Sequence, residues 1–350
     1  MLICHRHAKI HRKNLYRLDH IEPPPHWHDN HGRPITYLRL SITDRCNLRC
    51  RYCMPEHQTF LPADELLSFD ELLRLARLLT AQGITKIRIT GGEPFVRDGL
   101  MDFLWQLRTV RGLAEISITT NGTLTAKYIP ELKRIGIASV NLSLDTLDLA
   151  RFNRITGRDE LNAVMQTLDA LLSHGITTKI NAVVMHGLNT EDIIPLAELA
   201  RTAPVTVRFI EEMPFNGEGA RSTLTWNHEK ILSVLLAAYP NLMSLQSEIS
   251  STSMNFSIPE FQGSLGIIAA YSRTFCGTCN RLRLTAKGTL HTCLYEQGGL
   301  DLKWLLRSGV SDDALITVIC ESVGHRYKNG YEAEAHRQTP VSESMSVIGG

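Results

Sequence analysis

The sequence predicts an α/β fold built on a parallel sheet, and three observations lead to this prediction. Short apolar runs rich in β-branched residues recur along the middle of the chain, as buried parallel strands do. Stretches with the helical spacing of apolar residues lie between these runs. Glycines stand at several of the helix ends, where helices commonly stop. Alternating strands and helices favour a sheet that is either doubly wound or curled into a partial barrel.

Six strands are expected between residues 35 and 213, at 37–43, 86–90, 115–120, 139–145, 179–185 and 206–213. Ser68 and Glu71 form a capping box that predicts the start of the first helix. Thr125 and Thr190 precede further amphipathic stretches. Beyond residue 225 the alternation fades into one helix at 226–239, strand-like pieces near 264–270 and 281–291, and a polar tail.

These patterns divide the chain into three parts. Residues 1–34 hold seven of the 14 histidines and a Pro23–Pro25 run that blocks both helix and central strand, so we interpret them as an extension or linker. Residues 35–225 form the strand–helix repeat, and residues 226–350 form a smaller C-terminal region. In the first part, His26, His28 and His31 could bind a metal, but a solvated linker is the favoured interpretation.

The composition excludes several classes of function. The 350 residues include 37 Lys plus Arg and 36 Asp plus Glu, and this balance argues against nucleic acid or a membrane surface as a partner. No run approaches the roughly 18 apolar residues of a membrane span. The N-terminus lacks the apolar core of a secretory signal, so we expect a cytoplasmic protein. In a reducing compartment, clustered cysteines more often bind metal than form disulfides.

Three of the eight cysteines follow the first predicted strand closely. Cys46, Cys50 and Cys53 form a C-x3-C-x2-C pattern on a loop at the carboxyl edge of the sheet, where α/β active sites lie. Three thiolates on one short loop suit a cubane iron–sulfur cluster with one iron left without a protein ligand. The pattern therefore predicts a cluster that can also bind a small molecule.

A second trio lies in the C-terminal region, where Cys276, Cys279 and Cys293 form C-x2-C-x13-C. From spacing alone, this trio indicates either a second cluster or a zinc site completed by His291 or a carboxylate. Cys4 and Cys320 stand alone and are interpreted as a terminal thiol and a buried helical one.

Cations inside predicted strands are the next unusual feature. A charge in a covered parallel sheet is costly unless it meets an anion, so these cations predict an anionic ligand or inward acidic partners. The acidic candidates are Glu93, Asp145, Glu211 and Glu212. The mid-strand cations are Arg39, Arg88, Lys179 and Arg208, and Arg281 and Arg283 alternate on a later strand. Guanidinium groups suit phosphate oxygens, and this set carries enough charge for a triphosphate.

Several strand ends carry small or polar residues. Gly91-Gly92-Glu93-Pro94 follows the second strand, Thr119 to Gly122 ends the third, and Ser143 to Asp145 ends the fourth. Each is explained equally well by a turn, but together they favour a nucleoside site at one edge of the sheet.

These motifs resemble the radical S-adenosylmethionine superfamily, which combines C-x3-C-x2-C, an aromatic residue before the last cysteine and Gly-Gly-Glu-Pro. Further stretches are similar to the GTP 3',8-cyclase family of molybdenum cofactor biosynthesis. They are Ser41–Asn47, Phe209–Pro214, Phe275–Arg283 and the terminal Ile348–Gly350. The likeness runs from about residue 35 to residue 350. It implies a partial (βα)6 barrel with a C-terminal region that carries a second cluster.

The resemblance also implies roles for individual residues. Each cysteine trio would hold one [4Fe-4S] cluster, the first binding S-adenosylmethionine and the second meeting the guanine of GTP. The implied S-adenosylmethionine contacts are Tyr52, Gly92, Ser143 and Met213. The implied GTP contacts are Arg39, Arg88, Thr119, Lys179, Arg281, Leu282 and Arg283. Arg208 would be an active-site cation, and the Gly349–Gly350 tail would enter the barrel. Glu212 stands where the family often has an apolar residue.

The implied reaction is the first step of molybdopterin biosynthesis. A 5'-deoxyadenosyl radical takes hydrogen from ribose C3' of GTP, and C3' then bonds to guanine C8. A one-electron reductant and a downstream enzyme of the pathway are implied as partners, and the oligomeric state stays open, with a homodimer as one option. Two alternatives remain at this point: a radical enzyme that acts on a peptide, and a non-catalytic zinc-binding regulator.

Overall fold

The computed structural model describes residues 27–55, 57–217, 224–246 and 249–349. Cys4, His26, Gly350 and most of the expected N-terminal extension lie outside the described residues. Among the described residues, no helix has both the length and the apolar content needed to cross a bilayer.

Six strands alternate with helices in the first two thirds of the chain, as expected. Strands β1 to β6 are Tyr37–Ser41, Lys86–Thr90, Glu115–Thr120, Ser139–Ser143, Thr177–Val184 and Val205–Glu211. Helices α1 to α6 are Phe69–Ala81, Leu100–Arg108, Ile129–Ile135, Leu149–Thr156, Leu161–Ser173 and Ile193–Thr202. The predicted capping box is present, since the Ser68 hydroxyl accepts from the Glu71 amide and the Glu71 carboxylate accepts from the Ser68 amide.

Strands β1, β4 and β6 end two residues earlier than the sequence pattern predicts. The Ile42 and Leu144 amides still donate to the neighbouring strands, at 3.0 Å to the Thr90 carbonyl and 2.9 Å to the Asn181 carbonyl, and the next residue in each case bonds to groups of other segments. For example, the Thr43 carbonyl accepts from the Gly92 amide at 2.8 Å, and the Asp145 carboxylate accepts from the Val183 amide at 2.8 Å. The apolar pattern thus continues into the loops that form the mouth of the sheet.

The C-terminal third extends the same sheet at both edges. It contains β7 to β12 at Met243–Leu245, Ser253–Ser257, Ser264–Ile268, Arg281–Leu284, Thr289–His291 and Leu300–Asp301. Helices α7 to α11 are His228–Ala238, Leu302–Arg307, Asp312–Gly324, Gly330–Ala335 and Met345–Ile348. Strand β9 pairs in parallel with β6, and β10 pairs in parallel with β1.

The described residues form one sheet in the order β12-β11-β10-β1-β2-β3-β4-β5-β6-β9-β8-β7. Its central run from β10 to β9 is parallel, and its outermost strands are antiparallel. The two main apolar clusters occupy opposite halves, with Leu38 and Ile87 in one and Val207 and Phe209 in the other. The predicted partial barrel is confirmed, and residues after 225 contribute to its two edges.

Residues 27–34 correct part of the predicted linker. Trp27, Asp29 and Arg33 are buried, and the Ile35 amide donates to the Trp27 carbonyl at 2.6 Å. His31 Nε2 lies 2.9 Å from the Arg326 carbonyl oxygen, so His31 is also engaged with the fold. The sequence concealed this packing because the segment has too few apolar residues to show a period.

Candidate active site

The inner face of the sheet encloses a cavity of about 1020 Å³. All six cysteines of the two trios line it, the first trio from the loop after β1 and the second from the segment around β10 and β11. Both trios therefore face one shared space, although some 220 residues separate them in the chain.

Backbone hydrogen bonds hold the loop of the first trio. The Cys53 amide donates to the Cys50 carbonyl at 2.9 Å, which closes a tight turn between the last two cysteines. The Arg49 amide donates to the Thr156 carbonyl at 2.7 Å, which ties the loop to the end of α4. The Cys46 sulfur accepts from the Leu48 amide at 3.4 Å and from the Asn121 amide group at 3.6 Å.

The Gly91–Gly92 pair lies directly against this loop. A Cβ on Gly92 would stand 2.3 Å from the Arg45 carbonyl oxygen, and one on Gly91 would stand 2.5 Å from that of Thr43. Both distances are far shorter than real contacts, so a side chain at either position would push the cysteine loop away. Gly92 also lines the cavity. The glycines thus bring the end of β2 against the loop that carries the first trio.

Two buried carboxylates brace the same edge of the sheet. Glu93 accepts from the Thr120 hydroxyl at 2.8 Å and from the Asn121 amide at 2.7 Å, and Asp145 accepts from the Tyr52 hydroxyl at 3.0 Å. Burial raises the pKa of each carboxyl to about 7, against hydrogen bonds that favour the charged form. These contacts join β2, β3 and β4 to the first trio.

The second trio lies beside arginine side chains. Arg281 donates to the Cys279 sulfur at 3.4 and 3.2 Å, and Arg326 donates to it at 3.0 Å. Burial alone would raise the pKa of Cys279, but the charges of Arg281 and Arg326 lower it to about 6. His291, the suggested zinc ligand, faces Glu296 at 3.4 Å instead of lining the cavity.

Burial raises the pKa of the cysteines of the first trio, as it raises that of Cys293 in the second trio to about 11. Burial, followed by the charge of Glu93, raises the pKa of Cys46 to about 11, and burial raises that of Cys53 to about 12. Burial also raises the pKa of Cys50 strongly. Free thiols at these three positions are therefore protonated at neutral pH, and a metal must displace their protons to bind.

Arginines stand side by side on the inner face of the sheet. Arg39 on β1 is in register with Arg88 on β2 and with Arg283 on β10. Asn181 on β5 is likewise in register with Arg208 on β6. These side chains line the cavity, as the sequence pattern predicts for alternate residues of a strand.

These cations do not pair with the carboxylates suggested as their partners. Among the described residues, buried guanidinium nitrogens of Arg39, Arg88 and Arg208 have no hydrogen-bond partner. Glu211, a proposed partner, instead accepts from the Ser272 amide and hydroxyl at 2.7 and 2.8 Å and contacts His228. The cavity therefore holds positive charge that its own wall does not neutralise.

The surroundings lower the pKa of several of these cations. Burial, followed by repulsion from Arg208 and Arg88, lowers the pKa of Lys179 to about 8. Burial and repulsion from Arg88 lower that of Arg208 to about 9, and burial and repulsion from Arg281 lower that of Arg283 to about 10. An anion in the cavity would relieve both the repulsion and part of the desolvation.

The structure brings most of the expected site residues to one cavity. Two described residues are exceptions: Gly349 is not among the lining residues, and the fully buried Leu282 side chain belongs to the apolar core on the other face of β10. Strand alternation explains the position of Leu282, since neighbours of inward-facing residues point outward. Further lining residues that we did not predict are Tyr37, Lys86, Asn121, Asn141, Asn181 and Arg273. Lys86, Asn141 and Asn181 share the strand parity of predicted residues, which could have revealed them.

The C-terminal segment reaches both the first trio and the arginines. The Met345 amide donates to the Cys53 carbonyl at 2.9 Å, and Arg283 Nη1 donates to the Gly349 carbonyl at 2.9 Å. Gly349 has a φ of +89°, and a Cβ there would stand 2.8 Å from that of Ser41. This position requires glycine for its conformation and for space.

The chemistry of the two donor sets fits iron–sulfur clusters. Each set consists of three cysteines, and thiolates are the ligands that such clusters use. Among the described residues, no three His, Cys, Asp or Glu side chains converge on one point as ligands of a single ion would. A four-iron cluster makes a different demand, because each thiolate binds a separate iron.

Two family models match the chain. The model of the radical SAM superfamily matches residues 40–200, and that of the molybdenum cofactor synthesis C region matches residues 205–332. Together they cover the six βα units and most of the strands that extend the sheet.

Curated relatives agree with both matches. The chain is 41% identical to the mitochondrial GTP 3',8-cyclase of Arabidopsis thaliana, over 92% of this chain and 83% of that protein. It is 39% identical to the GTP 3',8-cyclase of Nitrobacter hamburgensis, over 92% and 95%. It is 43% identical to molybdenum cofactor biosynthesis protein 1 of Bos taurus, over 85% of this chain but 47% of that protein. The chain thus spans about half the length of this animal relative.

A solved structure supports the fold. The chain resembles Streptococcus suis SuiB bound to the precursor peptide SuiA, with a TM-score of 0.62 and 14% identity, over 91% of this chain and 77% of that one. Such low identity supports the architecture alone. From the family models and the curated relatives together, the chain belongs to the radical S-adenosylmethionine superfamily and, within it, to the GTP 3',8-cyclase family of molybdenum cofactor biosynthesis.

Proposed function

We propose that the chain cyclises GTP to (8S)-3',8-cyclo-7,8-dihydroguanosine 5'-triphosphate as a radical S-adenosylmethionine enzyme. The observation that carries the proposal is one cavity that joins two cysteine trios to a row of arginines, which have no acidic partner in the described part of the chain. A triphosphate supplies the negative charge that this wall lacks. The alternative of a zinc-binding regulator explains neither the shared cavity nor the arginines.

The first trio would hold the cluster that does the radical chemistry. Cys46, Cys50 and Cys53 would hold a [4Fe-4S] cluster, which would supply the one electron needed to cleave S-adenosylmethionine to methionine and a 5'-deoxyadenosyl radical. Tyr52, Gly92, Ser143 and Met213 line the cavity near this trio and are the proposed contacts of S-adenosylmethionine. The Asp145 carboxylate orients the Tyr52 hydroxyl, which fixes the ring.

The second trio and the cations would hold GTP. The proposed phosphate contacts are Arg39, Arg88, Lys179, Arg281 and Arg283, with Thr119 and the charge of Arg208 beside them. Lys86 also lines the cavity, but its ammonium group already pairs with Glu115 at 2.6 Å, so we do not count it among these contacts. Side chains fixed on neighbouring strands can place ribose C3' within reach of the radical. This positioning is the main contribution of the protein to the reaction.

The C-terminal tail would close the site. Gly349 contacts Arg283, and the segment before it contacts the loop of the first trio, so the tail touches the proposed binding regions of both ligands. We propose that Gly349 and Gly350 orient the radical step. A one-electron reductant, an enzyme that takes the product and a cytoplasmic location complete this proposal, and the oligomeric state stays open, with a homodimer as one option.

The test combines metal analysis with product analysis under anaerobic conditions. The reconstituted chain should contain about eight irons and, with a one-electron reductant added, should convert GTP and S-adenosylmethionine to the cyclic nucleotide, 5'-deoxyadenosine and methionine. Arg88→Ala should lose the nucleotide product, while Arg74→Ala, which removes an exposed arginine paired with Asp312, should not. Peptide modification without GTP conversion, or stoichiometric zinc at the second trio, would overturn the proposal.

A further inference from the structure

A short N-terminal turn is built against the second cysteine trio. We use "N-terminal turn" for residues 27–35, which are closed by a bridge between His28 and Pro34 and by the Ile35 to Trp27 hydrogen bond. The Asp29 carboxylate accepts from the Arg33 amide at 2.9 Å and from Arg33 Nε at 2.6 Å. The turn therefore holds its own ion pair in a fixed arrangement.

Asp29 also binds a second guanidinium, that of Arg326. Arg326 Nη1 lies 3.3 Å from Asp29 Oδ2, and the side chains of Asp29, Arg33 and Arg326 are at most 6% exposed. Two arginines share one carboxylate, so the group keeps a net positive charge in a buried setting. Such a charge is costly unless its remaining donors are satisfied.

The remaining donors of Arg326 form hydrogen bonds around the second trio. Its Nη2 donates to the Cys279 sulfur at 3.0 Å and to the Arg281 carbonyl at 3.0 Å. Its Nη1 donates to the Cys279 carbonyl at 2.8 Å, and its Nε donates to the Thr292 carbonyl at 2.8 Å, one residue before Cys293. One guanidinium thus touches the surroundings of two of the three cysteines.

Arg33 contacts the backbone of the third cysteine, Cys276. Its Nη1 donates to the Cys276 carbonyl at 3.1 Å and to the Lys328 carbonyl at 2.7 Å, and its Nη2 donates to the Tyr327 carbonyl at 2.8 Å. The three-residue network of Asp29, Arg33 and Arg326 therefore fixes the backbone at each cysteine of the second trio, or next to it.

We propose that Arg326, held by Asp29 of the N-terminal turn, is a positioning residue that orients Cys279 and raises the reduction potential of the cluster bound by the second trio. The inference rests on the proposed function only in requiring an iron–sulfur cluster at that trio. Hydrogen bonds to cluster sulfurs and nearby positive charge stabilise the more negative, reduced state. At the first trio, by contrast, the groups that donate to sulfur are neutral ones such as the Leu48 amide and the Asn121 side-chain amide.

The experiment measures the potential of the second cluster alone. Cys46→Ala removes a ligand of the first trio, so the reconstituted full-length variant reports the second cluster in an electron paramagnetic resonance redox titration. In this background we expect Arg326→Gln to lower the midpoint reduction potential of the second cluster by about 59 mV. This shift corresponds to about a tenfold change in the equilibrium constant of a one-electron reduction. Arg326→Lys keeps the charge and should shift it less. Asp29→Asn should release iron to a chelator faster than the unaltered chain.

The matched control is Arg307→Gln, which removes an exposed arginine that pairs with Glu71 on the outside of the fold. A full iron content with an unchanged potential and unchanged iron release in both Arg326→Gln and Asp29→Asn would overturn the inference. An equal shift in Arg307→Gln would also overturn it. If Arg326→Gln does not fold, the comparison of Arg326→Lys and Asp29→Asn with the control decides in the same way. Zinc in the unaltered chain would overturn the proposed function instead, so the two failures are distinguishable.

Discussion

The two cysteine trios carry the same number of sulfur ligands but differ at one cysteine: burial raises the pKa of Cys293 to about 11, as it raises those of the first trio, whereas arginines lie against Cys279. At the first trio, burial and the nearby carboxylates of Glu93 and Asp145 raise the pKa of the thiols. At the second, Arg281 and Arg326 lower the pKa of Cys279 to about 6. The same ligand count on one cavity wall therefore does not imply the same chemistry.

The charges around each trio indicate which role a cluster bound there is suited to. Negative groups near the first trio oppose the addition of an electron, so a cluster there becomes a strong reductant once it is reduced. Cations near the second trio favour the reduced form and also attract an anionic ligand. The first site is thus suited to giving an electron away, and the second is suited to holding a negatively charged substrate in place.

The largest expected effect separates the two trios directly. Cys46→Ala should abolish cleavage of S-adenosylmethionine and lose about half of the iron, because it removes a ligand from one cluster only. Cys276→Ala should lose the other half, keep some cleavage and form no cyclic nucleotide. Iron analysis and chromatography of 5'-deoxyadenosine check both variants. Cleavage that persists in Cys46→Ala and vanishes in Cys276→Ala would reverse the comparison.

The second effect concerns the tail, which contacts the regions of both trios. Deletion of Gly349 and Gly350 should lower the rate of ring closure by about 100-fold, because misplacing a reacting group slightly costs that much. Iron content, fold and GTP binding should remain, since two glycines bury little surface. Product formation and nucleotide binding are measured on the same preparation.

A substitution at Gly349 provides the matched control for the deletion. Gly349→Ala places a Cβ 2.8 Å from that of Ser41 and 2.9 Å from the Thr90 hydroxyl, so it should reproduce part of the loss. Gly324→Ala, on a helix with open space around it, should have no effect. If the shortened chain forms product at the unaltered rate, the tail has no part in the site.

The third effect sharpens the assignment of substrate to the second trio. Arg283→Ala should weaken GTP binding by about 10- to 100-fold, which is the loss of one charged hydrogen bond worth about 1.5 to 3 kcal/mol. Binding of S-adenosylmethionine should change far less. Titration calorimetry with each ligand separates the two. Equal weakening for both ligands would show that Arg283 supports the whole cavity rather than the substrate end.

Much of this architecture could be predicted from the sequence because its signals are local. Each strand, the Ser68 capping box and the first trio can be recognised from fewer than a dozen consecutive residues. The alternation of side chains along a strand also predicts that Arg39 and Arg88 point into the cavity. The same alternation turns the Leu282 side chain into the core, and its role as a GTP contact stays a prediction.

Other features were hidden because they depend on pairs that are distant in sequence. Asp29 and Arg326 are separated by 297 residues, and no local sequence pattern at either residue predicts that the two pair. The sequence left Gly91 and Gly92 open between a turn and part of a ligand site, and only the fold shows that they give room to the carbonyls of Thr43 and Arg45. The edge pairing of β9 and β10 likewise depends on tertiary contacts rather than local propensity.

The smallest expected effect is a pH dependence at the substrate end of the cavity. Burial and the charges of Arg208 and Arg88 lower the pKa of Lys179 to about 8, so the free protein loses this charge as pH rises from 7 to 9. GTP favours the charged lysine, and its affinity should therefore fall by up to about tenfold over this range. Lys179→Met should bind GTP more weakly at pH 7 and lose most of the pH dependence of its affinity, whereas Lys133→Met, on the outer helix α3, should keep it.

Calorimetry of GTP binding at pH 7, 8 and 9, at constant ionic strength, checks this prediction. S-adenosylmethionine, assigned to the other trio, should show no matching trend, and a parallel fall for both ligands would contradict the division of the cavity into two ends.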